Sequence, residues 1–239
     1  MAQLVTMFDT IGDDYTNIPL NAPKIGGYVT GTGGVLWGAH AWARFPRSGH
    51  VRTDQTPSGS AYAMRRDPGG KATVLADCYD MEDWAGTPTR FAQMVPDRHD
   101  AGLPNCGYGT PSTMATAAAL LDQVPGRAAG WWHGRVDWWL ADPDLNEHEA
   151  AALVGTIMHG FVIRAVQWAT PTTNPGTPVP DGAPGATLKS ANLDLSVADA
   201  AWFPAPKPPP APWQVQALQL ARENVQHAQA LVAFLEAHQ

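Results

Sequence analysis

Asp80 and Glu82 stand two positions apart in a segment, residues 73–82, whose apolar pattern predicts a β-strand. Because side chains alternate between the faces of a strand, both carboxyl groups are expected on one face, with backbones about 6.6 Å apart. Crowded carboxyl groups raise one another's pKa, so that one stays protonated near neutral pH and can act as a general acid. A proton-donating Glu beside an ionised Asp is the pair of catalytic residues that glycoside hydrolysis requires. The spacing predicts this chemistry, with Glu82 nearer the solvent than Asp80.

Further acidic residues are predicted at the ends of other strands. Asp9 closes the first strand candidate, Asp54 lies at the end of the third, and Asp194 lies in the eighth. In a parallel barrel the carboxyl ends of the strands meet at one mouth, where catalytic groups collect. Asp9, Asp80, Glu82 and Asp194 are therefore expected to form one acidic site. For any single acid, a helix cap or a solvated loop is the alternative.

The elements that must position these acids alternate along the chain. Eight short apolar segments predict strands, at residues 4–9, 25–30, 50–55, 73–82, 105–109, 135–141, 161–168 and 191–195. Helices are predicted between several of them, at 34–45, 57–66, 88–100, 111–124 and 147–159. Thr-Pro pairs at 56–57, 87–88 and 110–111 favour helix starts, because Thr caps free amides and Pro lacks the N–H that would go unpaired. The repeated units predict an α/β fold, a somewhat irregular (β/α)8 TIM-like barrel over residues 1–204.

The composition changes after residue 204. Residues 205–212 are rich in Pro and predict a stiff, extended linker. Residues 213–239 contain neither Gly nor Pro and repeat apolar residues at heptad spacing, which predicts a single helix. This C-terminal helix is expected to dock on another protein, to form a homo-oligomer or to pack against its own barrel.

The composition also excludes several classes of function. The 239 residues carry a net charge of -7, so the chain has no electrostatic attraction for nucleic acid or anionic lipid. It contains no run of about 18 apolar residues that would span a membrane, and its first twenty residues show no secretory signal. Neither a zinc-protease spacing nor a P-loop is present, so no metal and no cofactor is expected. Cys78 and Cys106 are expected as buried thiols.

The order of several short motifs resembles glycoside hydrolase family 25, the lysozyme-type muramidases. The motifs are Asp9, Asp80-Met81-Glu82, Trp139-Leu140-Ala141, Gln167-Trp168 and Leu193-Asp194-Leu195, on the first, fourth, sixth, seventh and eighth strands. The closer likeness is to family-25-like domains of actinobacteria and their phages. It is carried by Tyr28-Val29-Thr30-Gly31, Trp42-Ala43-Arg44-Phe45-Pro46, Asp54-Gln55, Asp194-Leu195-Ser196 and Trp202-Phe203-Pro204. The resemblance covers residues 4–204.

The resemblance implies a role for each acid. Glu82 would be the acid/base that donates a proton to the leaving glycosidic oxygen. Asp80 would act as the nucleophile, or would steady an attack by the substrate's own N-acetyl group. Asp9 and Asp194 would orient the sugar and tune this pair. The candidates for binding substrate are Tyr108, Trp139, Gln167 and Asp54.

Two functions are predicted. The first is a retaining glycoside hydrolase that opens peptidoglycan; the linker, the terminal helix and the absent signal favour a minor tail protein of a phage virion, made in the host cytoplasm. Its partners would be cell-wall glycan and other tail proteins. The second is a catalytically silent barrel, a structural minor tail or adhesin module. The set of acids favours the first function. The segment 10–14 departs from the lysozyme pattern and favours the second.

Overall fold

A computed structural model describes most of the barrel region of the chain. The described residues are 3–10, 12–30, 37–66, 70–82 and 85–204. All of them belong to the first of two compact units, Met1–Pro206. The predicted linker and C-terminal helix, residues 205–239, lie outside the described residues, so their docking or oligomerisation role stays a prediction.

Eight strands close into one barrel. They are β1 (Leu4–Asp9), β2 (Lys24–Thr30), β3 (Gly49–Asp54), β4 (Cys78–Asp80), β5 (Cys106–Gly109), β6 (Asp137–Ala141), β7 (Phe161–Ala169) and β8 (Asp194–Asp199). Each strand pairs with the next along the chain, and β8 pairs with both β7 and β1, so that the sheet closes on itself. The predicted barrel is confirmed, because each of the eight predicted segments overlaps one of these strands.

The last strand runs against the other seven. β1 to β7 are parallel neighbours, whereas β8 is antiparallel to both β7 and β1. The carboxyl ends of seven strands therefore meet at one mouth together with the amino end of β8. The register pairs Asp9, the last residue of β1, with Asp194, the first residue of β8.

The helices between the strands are few and short. They are a 3₁₀ helix (Gly12–Asn17), α1 (Ala39–Ala43), α2 (Pro88–Asp100), α3 (Pro111–Leu121), α4 (Glu147–Leu153) and α5 (Leu188–Ala191). Thr87 and Thr110 cap α2 and α3 as predicted, since each side chain accepts a hydrogen bond from the amide three residues further on. None of the helices in the described part of the chain is long and apolar enough to cross a membrane.

The regular (β/α)8 pattern is not observed in the described residues. The helix predicted at 57–66 is wrong: that segment folds as turns and ends in a short strand, Arg65–Arg66, which pairs with Ala72–Thr73. The reason is that the amide and the hydroxyl of Thr56 both donate to the Asp54 carboxylate, so that Thr56 does not cap a helix. After α4, the chain turns into the short strand Ile157–Met158, which pairs with β7, instead of continuing the helix predicted to residue 159.

The interior of the barrel is filled by large and small side chains that fit closely. The innermost buried cluster includes Met7, Val51, Cys78, Cys106, Trp139 and Ala165. Trp139 reaches the backbone of β2, where a Cβ atom on Gly26 would lie only 2.8 Å from Cη2 of the indole. Cys78 and Cys106 are buried free thiols, as predicted. This apolar cluster fills the barrel beneath the polar residues of the mouth.

Candidate active site

A cavity of about 450 Å³ opens at the mouth where Asp9 and Asp194 meet. Its polar lining includes three carboxylic acids, two phenols and two glutamine amides: Asp9, Glu82, Asp194, Tyr28, Tyr108, Gln55 and Gln167. No Lys, Arg or His is among the described residues that line it. Negative charge in this cavity is therefore not balanced by a neighbouring cation of the described lining.

Asp9 and Asp194 face each other across the antiparallel pair of β1 and β8. Cβ atoms of directly opposed residues lie about 4.5–5.5 Å apart in such pairs. Burial, followed by the charges of Asp194, Glu82 and Asp80, raises the pKa of Asp9 well above its ordinary value. Burial and the charge of Glu82 raise the pKa of Asp194 to about 7, although a hydrogen bond from Gln167 opposes the change. The two acids therefore disfavour ionising together near neutral pH.

Asp80 lies beneath Glu82, as the spacing predicted. Its side chain is fully buried and is not part of the cavity lining, whereas Glu82 is. One Asp80 oxygen accepts the Glu82 amide N–H at 2.9 Å, and the other accepts Nε2 of Gln55 at 3.2 Å. Burial, followed by the charge of Glu82, raises the pKa of Asp80 to about 7. Asp80 thus holds the backbone of Glu82 and changes charge near neutral pH.

Tyr108 and Gln167 form a buried hydrogen-bonded pair in the wall. The Tyr108 hydroxyl donates to Oε1 of Gln167 at 2.6 Å. Because the amide oxygen is occupied, the amide nitrogen of Gln167 is the group that donates to Asp194. Both predicted residues therefore lie in the candidate site, and together they orient the carboxyl group of Asp194.

Trp139 and Asp54 do not lie where substrate binding would place them. Trp139 is buried among the interior residues; its Nε1 donates to the Ser196 hydroxyl at 3.0 Å, and its ring packs on Tyr108 with centroids 4.7 Å apart. Asp54 is fully buried, and one of its oxygens accepts the amides of Ala61 and Tyr62 at 2.6 and 2.8 Å. Neither residue is part of the cavity lining. Trp139 supports the wall from behind, and Asp54 holds the loop after β3.

Tyr28 and Gln55 line the cavity but were not singled out from the sequence as binding residues. Burial and the charges of all four acids raise the pKa of Tyr28 well above its ordinary value, which places its hydroxyl among them. The alternation of side chains along a strand could have identified both residues from the sequence. Gly26 and Val51 face the interior, so Tyr28, two residues beyond Gly26, and Gln55, four beyond Val51, must face it as well.

Within the described residues, no group of three or more His, Cys, Asp and Glu has an arrangement that could hold a metal ion. Comparison of the chain with protein-family models, with curated proteins and with solved structures finds no match. The chemistry of the site must therefore be argued from its own geometry. That geometry is a cavity at the mouth of a barrel, with the carboxyl groups of Asp9, Glu82 and Asp194 on its wall and that of Asp80 beneath Glu82.

Proposed function

We propose that this chain is a glycoside hydrolase, similar to the lysozyme-type enzymes of family 25, that cleaves peptidoglycan glycan at the mouth of its barrel. The observation that carries the proposal is the convergence of Asp9, Glu82 and Asp194 on one cavity, with Asp80 buried beneath Glu82. The barrel would be an irregular member of the TIM-like class, in which several outer helices are reduced and the last strand is reversed. The order of the motifs along the chain supports the same family.

In this proposal Glu82 donates a proton to the leaving glycosidic oxygen and later takes one from the attacking water. Its wall position allows contact with a substrate in the cavity. Burial and the charge of Glu82 raise the pKa of Asp80, so the two neighbouring carboxyl groups disfavour ionising together and the pair can retain the proton that a general acid requires. The hydrogen bond from the Glu82 amide to Asp80 fixes the backbone that carries the acid.

Asp80 is assigned to charge stabilisation rather than to direct attack on the sugar. Its side chain is fully buried, and both of its oxygens already accept hydrogen bonds. A covered carboxylate can still stabilise the positive charge that develops on the sugar ring in the transition state. This arrangement supports the version in which the N-acetyl group of the substrate attacks and Asp80 steadies that attack.

The proposal is tested by measuring new reducing ends released from purified actinobacterial peptidoglycan. Glu82→Gln keeps the shape of the side chain but cannot donate the proton, so we expect release to fall by at least about 100-fold. The matched control is Glu147→Gln, which makes the same change at an exposed position on α4 and should release as much as the unmodified chain. Equal release from Glu82→Gln, with the same thermal unfolding midpoint, would refute the assignment.

A second function is a silent module that binds wall glycan without cleaving it. The complete burial of Asp80 favours it, because no nucleophilic carboxylate of the fourth strand reaches the cavity. Sedimentation with insoluble peptidoglycan separates the two functions. Binding by both the unmodified chain and Glu82→Gln, without release of reducing ends from either, would establish the silent module.

A place in a phage tail, with tail proteins or a second copy as partners, is part of the same proposal. It is supported by the resemblance and by the composition of residues 205–239, which lie outside the described residues. Light scattering on the full chain and on a chain ending at residue 204 tests it. If both the full chain and the shortened chain are monomeric, the result would count against oligomerisation through the terminal segment.

A further inference from the structure

Two residues that line the cavity each carry a buried oxygen atom that accepts no hydrogen bond from the described residues. They are Asp9, through Oδ1, and Gln55, through Oε1. Only 3% of Asp9 and 2% of Gln55 is exposed. Buried polar atoms in proteins are almost always paired, and an unpaired acceptor beside a cavity indicates that a bound molecule supplies the donor.

The orientation of the Gln55 amide is fixed by its neighbour. Nε2 of Gln55 donates to Asp80 at 3.2 Å. If the amide turned over, its oxygen would face a carboxylate oxygen, which is unfavourable. Oε1 therefore stays available as an acceptor. Gln55 is not an acid, so it indicates a ligand independently of the cluster of carboxyl groups.

Other polar groups in the described lining do not supply the missing donors. The Tyr108 hydroxyl is used by Gln167, and the Thr10 hydroxyl donates to the Asn192 carbonyl oxygen at 2.6 Å. The amide of Asn192 donates to Asp14 at 2.7 Å. The wall is thus rich in acceptors and negative charge, and it contains no Lys, Arg or His among its described residues.

A ligand that brings N–H donors and a positive charge satisfies both the unpaired acceptors and the unbalanced charge. We propose that the wall formed by Asp9, Gln55 and Asp194 binds a hexosamine residue whose 2-amino group is free and protonated, as in de-N-acetylated glycan. This inference rests on the proposed function and names a feature of its substrate. A cavity of about 450 Å³ has room for more than one sugar ring. In this inference the aminated sugar and the N-acetylated sugar at the cleaved bond are different residues of the glycan.

Three β-1,4-linked tetrasaccharides that differ only at C2 test the inference. Tetramers of glucose, N-acetylglucosamine and glucosamine carry a hydroxyl, an acetamide and an ammonium group there. Affinities are measured by calorimetry at pH 7, near the raised pKa of Asp194, on the full chain with Glu82→Gln, which prevents turnover. We expect the glucosamine tetramer to bind at least about tenfold more tightly than the other two, about 1.4 kcal/mol. Equal affinities, a preference for the acetamide or no binding of any tetramer would overturn the inference.

A further substitution locates the preference within the cavity. Asp9→Asn, added to Glu82→Gln, should remove most of the difference between the affinities for the glucosamine and the glucose tetramers. Glu147→Gln, added in the same way, removes one negative charge at an exposed position outside the cavity lining and should change neither affinity. If Asp9→Asn does not fold, Asp194→Asn on the opposing strand makes the same test. A preference that survives in the folded variant would overturn the assignment to this wall.

The outcomes separate this inference from the proposed function. Release of reducing ends that depends on Glu82, without a preference for glucosamine, would leave the proposed function standing and overturn the inference. A preference for glucosamine that depends on Asp9, without any release, would support the inference for a binding module and remove the hydrolase.

Discussion

Replacing Asp80 by asparagine is expected to stabilise the protein above neutral pH while it impairs the site. Asp80 is fully buried, and burial together with the charge of Glu82 raises its pKa from the ordinary 3.8 to about 7. The folded state therefore binds this proton more tightly than the unfolded state does. The resulting stability is fully present below pH 3.8 and is lost as the pH rises through about 7.

The magnitude follows from the two pKa values. A difference of about three pKa units corresponds to about 4 kcal/mol of unfolding free energy. Because Asp80 interacts with other acids, about 2–4 kcal/mol is the range we expect. Asparagine removes the charge but keeps an oxygen for the Glu82 amide. Gln55 can turn its own amide over and accept a hydrogen bond from the new side chain.

Urea unfolding between pH 5 and pH 8.5 measures this effect. The free energy of unfolding should fall with pH less steeply for Asp80→Asn than for the unmodified chain, so that the variant is the more stable protein at pH 8.5. Asp54→Asn is the matched control, because Asp54 is equally buried but accepts the amides of Ala61 and Tyr62. That variant should be less stable at every pH. If Asp80→Asn is destabilised equally at pH 5 and pH 8.5, the reasoning is refuted.

Three further substitutions test how the site is supported. Tyr108→Phe removes the donor to Gln167 and should lower kcat/KM for peptidoglycan about tenfold. An unchanged value would mean that the hydrogen bond between Tyr108 and Gln167 does not contribute to the reaction. Gly26→Ala places a methyl group 2.8 Å from the Trp139 indole and should cost about 1–3 kcal/mol in urea unfolding; no change would mean that the indole moves aside freely. Thr87→Val removes the cap of α2 and should cost about 1 kcal/mol, visible as a lower thermal midpoint.

Strand alternation correctly predicted the layering of the fourth strand, because period-two patterns need no knowledge of the rest of the fold. Asp80 shares the inward face with Cys78, and Glu82 follows at the mouth. The direction of the last strand could not be predicted in this way. Asp194 was expected near the end of a parallel strand at 191–195, whereas it begins an antiparallel strand, Asp194–Asp199. Asp194 still lies at the mouth, because the strand starts later than predicted and also runs in the opposite direction, which brings its first residue to the end where the other strands finish.

The buried carboxylate of Asp54 explains why the segment after β3 departs from its predicted structure. The Thr56-Pro57 pair has the composition of a helix start, yet Thr56 and the amides of Ala61 and Tyr62 are bound by Asp54, which folds the segment as a loop. The choice of Asp54 as a binding residue came from its acidity. The side chain of its neighbour Gln55 faces the barrel interior and lines the cavity. Its amide carries no charge, so the sequence gives no comparable indication of a binding role.

The electrostatics of the mouth argue that this cavity does something besides filling space. Asp9, Asp80 and Asp194 are buried together, their pKa values are raised by one another or by Glu82, and the described lining offers no cation in return. Each ionised group therefore lowers the stability of the fold near neutral pH. A barrel that only filled an assembly would be more stable with apolar residues at these positions. Perturbed acids in a cavity are instead typical of sites where protons or charged groups are handled, and this argues against a barrel that only fills an assembly.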